Sequence, residues 1–443
     1  MNIQLKREAP ISIYPPVVLY NKDDIKKIWD IPKQDDLEEQ RANLYVHIPF
    51  CSQKCEFCYF TSFPAGNSVV QKYLAALKKE VTMLAQNEIV KKKVFHTIYF
   101  GGGTPTYLRS EQLASLIHTI RSSLNIAKNC EFCVEVRPGK EATQKKLQML
   151  FELGVNRISM GAQSFVQEIL DLNGRRQTIE EFHKVYHLLR KVGFCNINID
   201  LMSGMIGDTN ETWEESINTV LALNPENITV YKMCIYKSSE LYKKFVCNNQ
   251  EDVFVSDETE VERIKYFYER MHAAGYMESS NPYTFTKSND YDHTYRMSRT
   301  SGMDLLGIGL SSNSYFNRVV FQNVHDLNEY IERIENHILP IENGYQLSEP
   351  EVMKRALIFA LKTTRIDRRH FKKCYGKDPY IEYQRQFDRM GKDGLIAIGQ
   401  EDIRLIGDAI LYTDDIVRNY MFDDREKQME KLLVMHKNIS MKL

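Results

Sequence analysis

The sequence predicts an α/β protein: a partial, six-stranded (β/α) barrel with an N-terminal arm and a C-terminal winged-helix-like α+β part. Three observations carry this. From residue 43, short apolar, β-branched or aromatic runs alternate with segments of helical apolar spacing. Nearly every polar or glycine-rich peculiarity falls at the end of one of those runs. The alternation stops after about residue 345.

Residues 1–42 carry Pro10, Pro15, Pro16 and Pro32 among charged clusters, and read as an arm that packs on the body. Strands are expected near 43–49, 95–100, 130–136, 156–160, 195–200 and 227–234. Helices are expected near 68–88, 110–124, 141–152, 177–192, 209–222 and 258–274. Strand, helix, strand in succession argues for a parallel sheet with helices outside it. A flat doubly wound sheet is the alternative. Residues 43–344 form the barrel and its extension in this reading, and 345–443 the cap. In the cap, helices near 350–362, 367–374 and 380–391 precede short strands that end near 413. A charged terminal helix is expected over 425–443.

Lys plus Arg number 58 against 59 Asp plus Glu, so nothing in the overall charge favours nucleic acid as a partner. No apolar run approaches the ~18 residues of a spanning helix, and no signal core follows the first residues. Nine cysteines in 443 residues are too few, and odd in number, for a disulfide framework. A reducing, cytoplasmic setting is expected.

Parallel barrels gather chemistry at the C-terminal ends of their strands. The first run ends in Cys51, Cys55 and Cys58, with gaps of three and two residues. Three close thiolates on a loop leaving a strand can hold a cubane iron–sulfur cluster and leave one iron open. A zinc loop or three unrelated thiols is the plainer reading. The second run ends in Gly101-Gly102-Gly103-Thr104-Pro105, where missing Cβ atoms let backbone groups approach a ligand. Glu135 and Asp200 close two further apolar runs; a buried carboxylate is costly unless partnered, and Arg157 or Arg175 are the candidates for plain ion pairs. His47 reads as a hydrogen-bonded core residue, and Cys130 with Cys133 as ordinary thiols on opposite faces of a strand.

The C-x-x-x-C-x-aromatic-C pattern after an apolar strand resembles the radical S-adenosylmethionine (SAM) superfamily. The resemblance implies that the open iron chelates the amino and carboxylate groups of SAM, and that an electron from the cluster cleaves SAM to a 5′-deoxyadenosyl radical. It gives Cys51, Cys55 and Cys58 the metal, and places Phe57 against the adenine. Tyr45-Val46-His47-Ile48-Pro49-Phe50-Cys51, the Gly101–Pro105 loop, Arg157-Ile158-Ser159-Met160-Gly161-Ala162-Gln163-Ser164-Phe165 and Asn198-Ile199-Asp200-Leu201-Met202 are together similar to the oxygen-independent coproporphyrinogen III oxidase family. Residues 276–281 and Gly307-Ile308-Gly309-Leu310-Ser311-Ser312-Asn313-Ser314-Tyr315 resemble its later motifs. Position by position, Gly102, Gly103, Thr104, Glu135, Gln163, Arg175 and Asp200 then contact SAM, with Tyr45, Glu135 and Gln163 as the catalytic candidates. Two SAM molecules are implied.

Departures narrow the reaction. Phe60 stands where the oxidases carry a further cysteine, Arg137 where Asp or Asn is usual, and a double serine where Gly-Ala-His-Ser is common. Phe57-Cys58-Tyr59-Phe60 and the double serine look closer to class C radical SAM methyltransferases and cyclopropanases. The leading expectation is therefore transfer of a methyl or methylene group from a second SAM to an sp² carbon of a flat ring. That acceptor would be a porphyrin, quinone or heteroaromatic, seated among Phe57, Tyr59, Phe60, Tyr315 and Phe316. Coproporphyrinogen decarboxylation or anaerobic haem ring opening is the alternative, and a haem- or cluster-carrying chaperone the non-enzymatic one. A flavodoxin or ferredoxin is the expected reductant.

Overall fold

A computed structural model describes residues 10–30, 40–279, 282–300, 302–424, 426 and 427. Six strands form its centre: β1 (Arg41–Ile48), β2 (Val94–Gly102), β3 (Ile126–Val136), β4 (Arg157–Gln163), β5 (Ile197–Ser203) and β6 (Asn227–Lys232). Each pairs in parallel with the next. The crossovers are the helices Asn67–Ala85, Ser110–Ser123, Gln144–Glu152, Ile179–Val192 and Asn210–Leu223, and Asp257–Ala273 follows β6. Strands covered on both faces lack strict alternation, and β4 buries five of its seven residues for that reason. Helix ends follow local chemistry. In Ile179–Val192 the Thr178 hydroxyl accepts from the Glu181 N–H at 3.0 Å, and the Glu181 carboxylate accepts from the Thr178 N–H at 3.1 Å. The helix closes on Gly193 at φ +115°.

Strands 1 to 6 lie side by side in chain order. A doubly wound sheet would reverse that order at a switch point, so the curved barrel wall is the architecture. The sheet then grows at both edges. β7 (Met277–Glu278) and β8 (Thr284–Thr286) form an antiparallel pair whose second strand adds antiparallel to β6, while β9 (Asp304–Ile308) adds parallel to β1. β10 (Asn313–Phe316), β11 (Val319–Asn323) and β12 (Ile341–Gln346) continue antiparallel beyond β9. The sequence pattern does not show these strands.

Beyond the helix Glu349–Lys362, β13 (Arg365–Asp367), β14 (Ile396–Ile398) and β15 (Asp402–Leu405) form a separate antiparallel sheet in the order β13-β15-β14. Helices between β13 and the β14–β15 ribbon give the winged-helix-like order. The helix expected over 380–391 is broken into Pro379–Glu382 and Gln384–Lys392, with Tyr383 at the break. Ile11 and Tyr14 belong to the core of this part, with Leu357, Phe371 and Ile416. The expected terminal helix lies outside the described residues except for 426 and 427, which are helical. Likewise, residues 280 and 281 of the motif at 276–281 lie outside them. Among the described residues no helix is long and apolar enough to cross a membrane.

Candidate active site

The cysteine loop leaves β1 and is closed at its neck, where Cys51 N–H donates to Phe63 O at 3.2 Å and Phe63 N–H to Pro49 O at 2.9 Å. Neighbouring loops buttress it. Glu56 N–H donates to Asn173 O, and Leu241 N–H to Glu56 O. Cys51 and Cys55 are buried, Cys58 is half-buried, and all three thiols are free. Burial, and next the adjacent Cys55, push the Cys58 thiol up.

Two guanidiniums approach the sulfurs. Arg137 Nη1 lies 3.2 Å from Cys51 Sγ, and Arg175 Nη1 lies 3.7 Å from Cys55 Sγ. Thr104 Oγ1 donates to Cys51 Sγ at 3.3 Å. The glycine loop sits directly beside this. Gly103 N–H donates to Ile48 O and Thr104 N–H to Phe50 O, each at 2.8 Å. A Cβ on Gly103 would fall 2.6 Å from Phe50 O, and one on Gly102 (φ +108°) would fall 2.7 Å from His47 Cε1.

Glu135, near the end of β3, accepts from Tyr99 Oη at 2.7 Å. Burial pushes its carboxyl up to about 7, and nearby Asp200 adds to the rise. Asp200 on β5 accepts from Asn198 Nδ2 at 2.7 Å and from Ser159 Oγ at 3.3 Å; burial raises it as well. The plain ion-pair reading of these two carboxylates is not what the structure builds. Arg157 instead serves Asn196 Oδ1 and Tyr291 O. Gln163 ends β4 at φ +71°, a left-handed conformation that costs on the order of 1 kcal/mol or more for a side-chain-bearing residue. Its Oε1 is buried without a partner, as are Arg175 Nε and Gln177 Nε2. Arg175 Nη2 donates to Gly161 O and, at 2.8 Å, to Gln177 Oε1.

Tyr45 on β1 stacks with Tyr99 at 6.1 Å and bonds His47 Nδ1 at 3.1 Å. His47 is the core residue expected, with Nε2 2.9 Å from Thr61 O and its pKa lowered to about 4 by burial. Phe57 packs toward Ile169, Met205, Met233 and Leu241. Cys130 and Cys133 are both buried in β3. The fold thus brings Tyr45, the three cysteines, the glycine loop, Glu135, Gln163, Arg175 and Asp200 to one rim.

The aromatic group does not stay together. Tyr59 stacks on Phe60 at 4.3 Å and on Tyr236 at 3.8 Å, and both Tyr59 and Phe60 are exposed. Tyr315 and Phe316 lie instead at the opposite end of the sheet, since Tyr315 pairs with Leu305, which stands beside Asn43 near the start of β1. There Tyr315 packs against Arg355 at 3.7 Å. An antiparallel return strand carried them away from the rim. The double serine is likewise built into a turn: Ser312 Oγ donates to Gly309 O at 2.9 Å, and Ser311 N–H to Val324 O.

Sequence reasoning missed Tyr99, Gln177 and Arg296. Arg296 donates to Tyr231 Oη at 2.8 Å and Thr284 Oγ1 at 2.6 Å, and its charge is felt at Asp200. Beside it, an apolar cleft of about 260 Å³ lies between β6 and the C-terminal part, lined among others by Tyr231, Tyr283, Phe359 and Tyr412. A wider groove of about 670 Å³ along Gln384–Lys392 is lined by none of the rim residues.

Among the described residues, no three His, Cys, Asp or Glu side chains converge on a single-ion site. Three free thiols, two flanking guanidiniums, the close-packed glycines and the unpartnered polar atoms beside them suit a cluster with a zwitterionic ligand.

Fold and site define a class, and the comparisons agree with it: the profile of the Radical SAM superfamily matches residues 45–220. Members hold a 4Fe–4S cluster and SAM. The haem chaperone HemW of Bacillus subtilis is 30% identical over 339 residues, which span 75% of this chain and 86% of that one. The oxygen-independent coproporphyrinogen III oxidase of Pseudomonas aeruginosa is 27% identical over 392 residues, 82% and 81% of the two chains. The solved coproporphyrinogen III oxidase HemN of Escherichia coli superposes with a TM-score of 0.77 at 23% identity, covering 91% of this chain and 95% of that one. This chain belongs to the oxygen-independent coproporphyrinogen III oxidase-like family of the radical SAM superfamily.

Proposed function

We propose that this protein is a radical SAM enzyme whose acceptor is a tetrapyrrole. The observation that carries the reading is the mouth of the rim, where the Tyr59–Phe60–Tyr236 stack and the apolar cleft with Arg296 at its edge offer flat walls and a cation. A macrocycle bearing carboxylates, flat in the case of haem, matches both features, and the relatives named above are by their names a haem chaperone and a coproporphyrinogen III oxidase.

When bound, the cluster and SAM supply a carbon radical by one-electron cleavage of the sulfonium. The residues of this chain prepare that step. Cys51, Cys55 and Cys58 would hold three of the cluster's irons. Gly102, Gly103 and Thr104 would pack beside the methionyl end, Arg175 would meet its carboxylate, and Glu135 with Gln163 would orient its ammonium. Asp200 would take the ribose hydroxyls, Phe57 would face the adenine, and Tyr45 would stand close to the cluster. The part from 345 to 443 acts as the cap over the acceptor. A low-potential flavodoxin or ferredoxin in the cytoplasm supplies the electron.

Methyl transfer from a second SAM is the finer reading that the sequence favoured. The double serine gives it no support once the Ser312 hydroxyl and both serine N–H groups are seen bonded within the fold, which leaves the Phe57-Cys58-Tyr59-Phe60 end as its argument. The deciding experiment is anaerobic reconstitution with methyl-labelled SAM and a panel of haem, coproporphyrinogen III, menaquinone and indoles, read by mass spectrometry and visible spectra. SAM cleavage stimulated by a tetrapyrrole, with a change in its spectrum, is expected. Label transferred only to menaquinone or an indole, or haem held with no SAM cleavage, overturns it.

A further inference from the structure

Arg137 sits just beyond the end of β3, at the outer side of the cysteine loop. Its guanidinium is fixed by four contacts. Nη1 lies 3.2 Å from Cys51 Sγ, 3.3 Å from Ser52 Oγ and 3.0 Å from Gln53 O, and Nη2 lies 3.4 Å from Arg176 O. Three of the four partners are in the cysteine loop itself, so the guanidinium is held against that loop. Arg175 is differently placed. It is buried, its Nη2 is given to Gly161 O and Gln177 Oε1, and it stands farther from its sulfur, Cys55.

We propose that Arg137 sets the reduction potential of the cluster, as a positioning residue acting through the Cys51 sulfur. The inference rests on Cys51 being a cluster ligand. Reduction adds one electron from a low-potential one-electron donor; no bond is made or broken, and no proton is needed at this site. The added negative charge spreads over irons and sulfurs. A guanidinium donating to one of those sulfurs favours the more negative state, and hydrogen bonds to cluster sulfurs are among the main protein controls on potential. A charged donor acts more strongly than the neutral Thr104 hydroxyl on the same sulfur. Arg137 is half-buried, so solvent screens its effect in part. It therefore makes reduction easier, and SAM cleavage is fed by a less extreme donor than the thiolates alone would demand.

The test uses the full chain, anaerobically reconstituted, as wild type, Arg137→Lys and Arg137→Gln. Iron and sulfide content and the visible spectrum establish that each holds its cluster. An EPR-monitored redox titration then reads the midpoint without SAM or acceptor. In Arg137→Gln the reduced-to-oxidised ratio at the wild-type midpoint is expected to fall about tenfold, equivalent to ~59 mV for one electron. In Arg137→Lys, which keeps the charge but not the fork, the fall is expected to be two- to threefold at most. A fully loaded Arg137→Gln variant with the wild-type midpoint overturns the proposal. So do equal shifts in the two variants, which would assign the effect to lost packing. If Arg137→Gln loads poorly, the Lys variant decides: a tenfold fall there also overturns it. A wild-type chain without a 4Fe–4S cluster would instead overturn the cysteine assignment beneath it.

Discussion

Glu80 and Glu135 make an instructive pair. Burial pushes both carboxyls up to about 7. Glu80, in the helix Asn67–Ala85, is 2% exposed and accepts from Tyr330 Oη at 2.5 Å, Asn323 Nδ2 at 2.9 Å and Gly309 N–H at 2.9 Å. Its donors come from three elements, and the polar cluster closes on itself. Glu135 has Tyr99 and the Gly102 N–H, and the polar side chains around the rim keep buried atoms with no protein partner. A buried polar network that is complete holds a fold together. One that is incomplete waits for a ligand.

The largest expected effect falls on the complete network. Glu80→Ala strips three donors of their acceptor, each worth about 1 kcal/mol or more, so it should lower unfolding stability by at least ~3 kcal/mol in denaturant titrations. It should affect SAM cleavage only through lost folded protein. Glu135→Gln should do the reverse. It should cut SAM cleavage at least tenfold, measured as deoxyadenosine formed, while stability changes by less than ~1 kcal/mol. Equal stability losses in the two variants would erase the distinction.

The smallest effect is on pH dependence. A glutamate whose folded pKa is raised from about 4.5 to about 7 holds its proton more tightly when folded, so its contribution to stability is greatest below about 4.5 and is lost as pH rises through 7. His47, lowered to about 4, acts oppositely: stability is lost as pH falls from about 6.5 toward 4. Glu80→Gln and Glu135→Gln should each remove part of the first trend. Thermal unfolding between pH 5 and 7.5 should then show a steeper loss toward acid than in the wild type.

The barrel was legible because parallel strands covered on both faces are apolar runs, and their crossovers are long amphipathic helices with marked ends such as Thr178 and Gly193. β9 to β12 were not, since four to six residues with polar members such as Asn313, Asn343 and Gln346 give no period to read. The rim residues could be proposed because glycines, cysteines and lone carboxylates stand out at strand ends. The double serine misled: its turn is held by local bonds, and Gly309 (φ +93°) is needed because a Cβ there would fall 2.5 Å from Tyr73 Oη. Glu80 gave no signal, being the one acidic residue of its helix and next in sequence to Lys78 and Lys79. The contact of Arg137 with Cys51 spans 86 positions, and no local pattern encodes it.

Residues 10–30 run like a strap from one part of the molecule to another. Ile11 N–H donates to Asp414, and Tyr14 Oη to Glu426. Further along, Asn21 pairs with Gly344 on β12, and Ile28 and Asp30 carbonyls accept from Asn317. One end is seated in the small C-terminal core and the other on the edge of the large sheet. Any displacement of that small part relative to the large sheet must therefore drag or unseat the strap, so one short run of chain tethers the two cores.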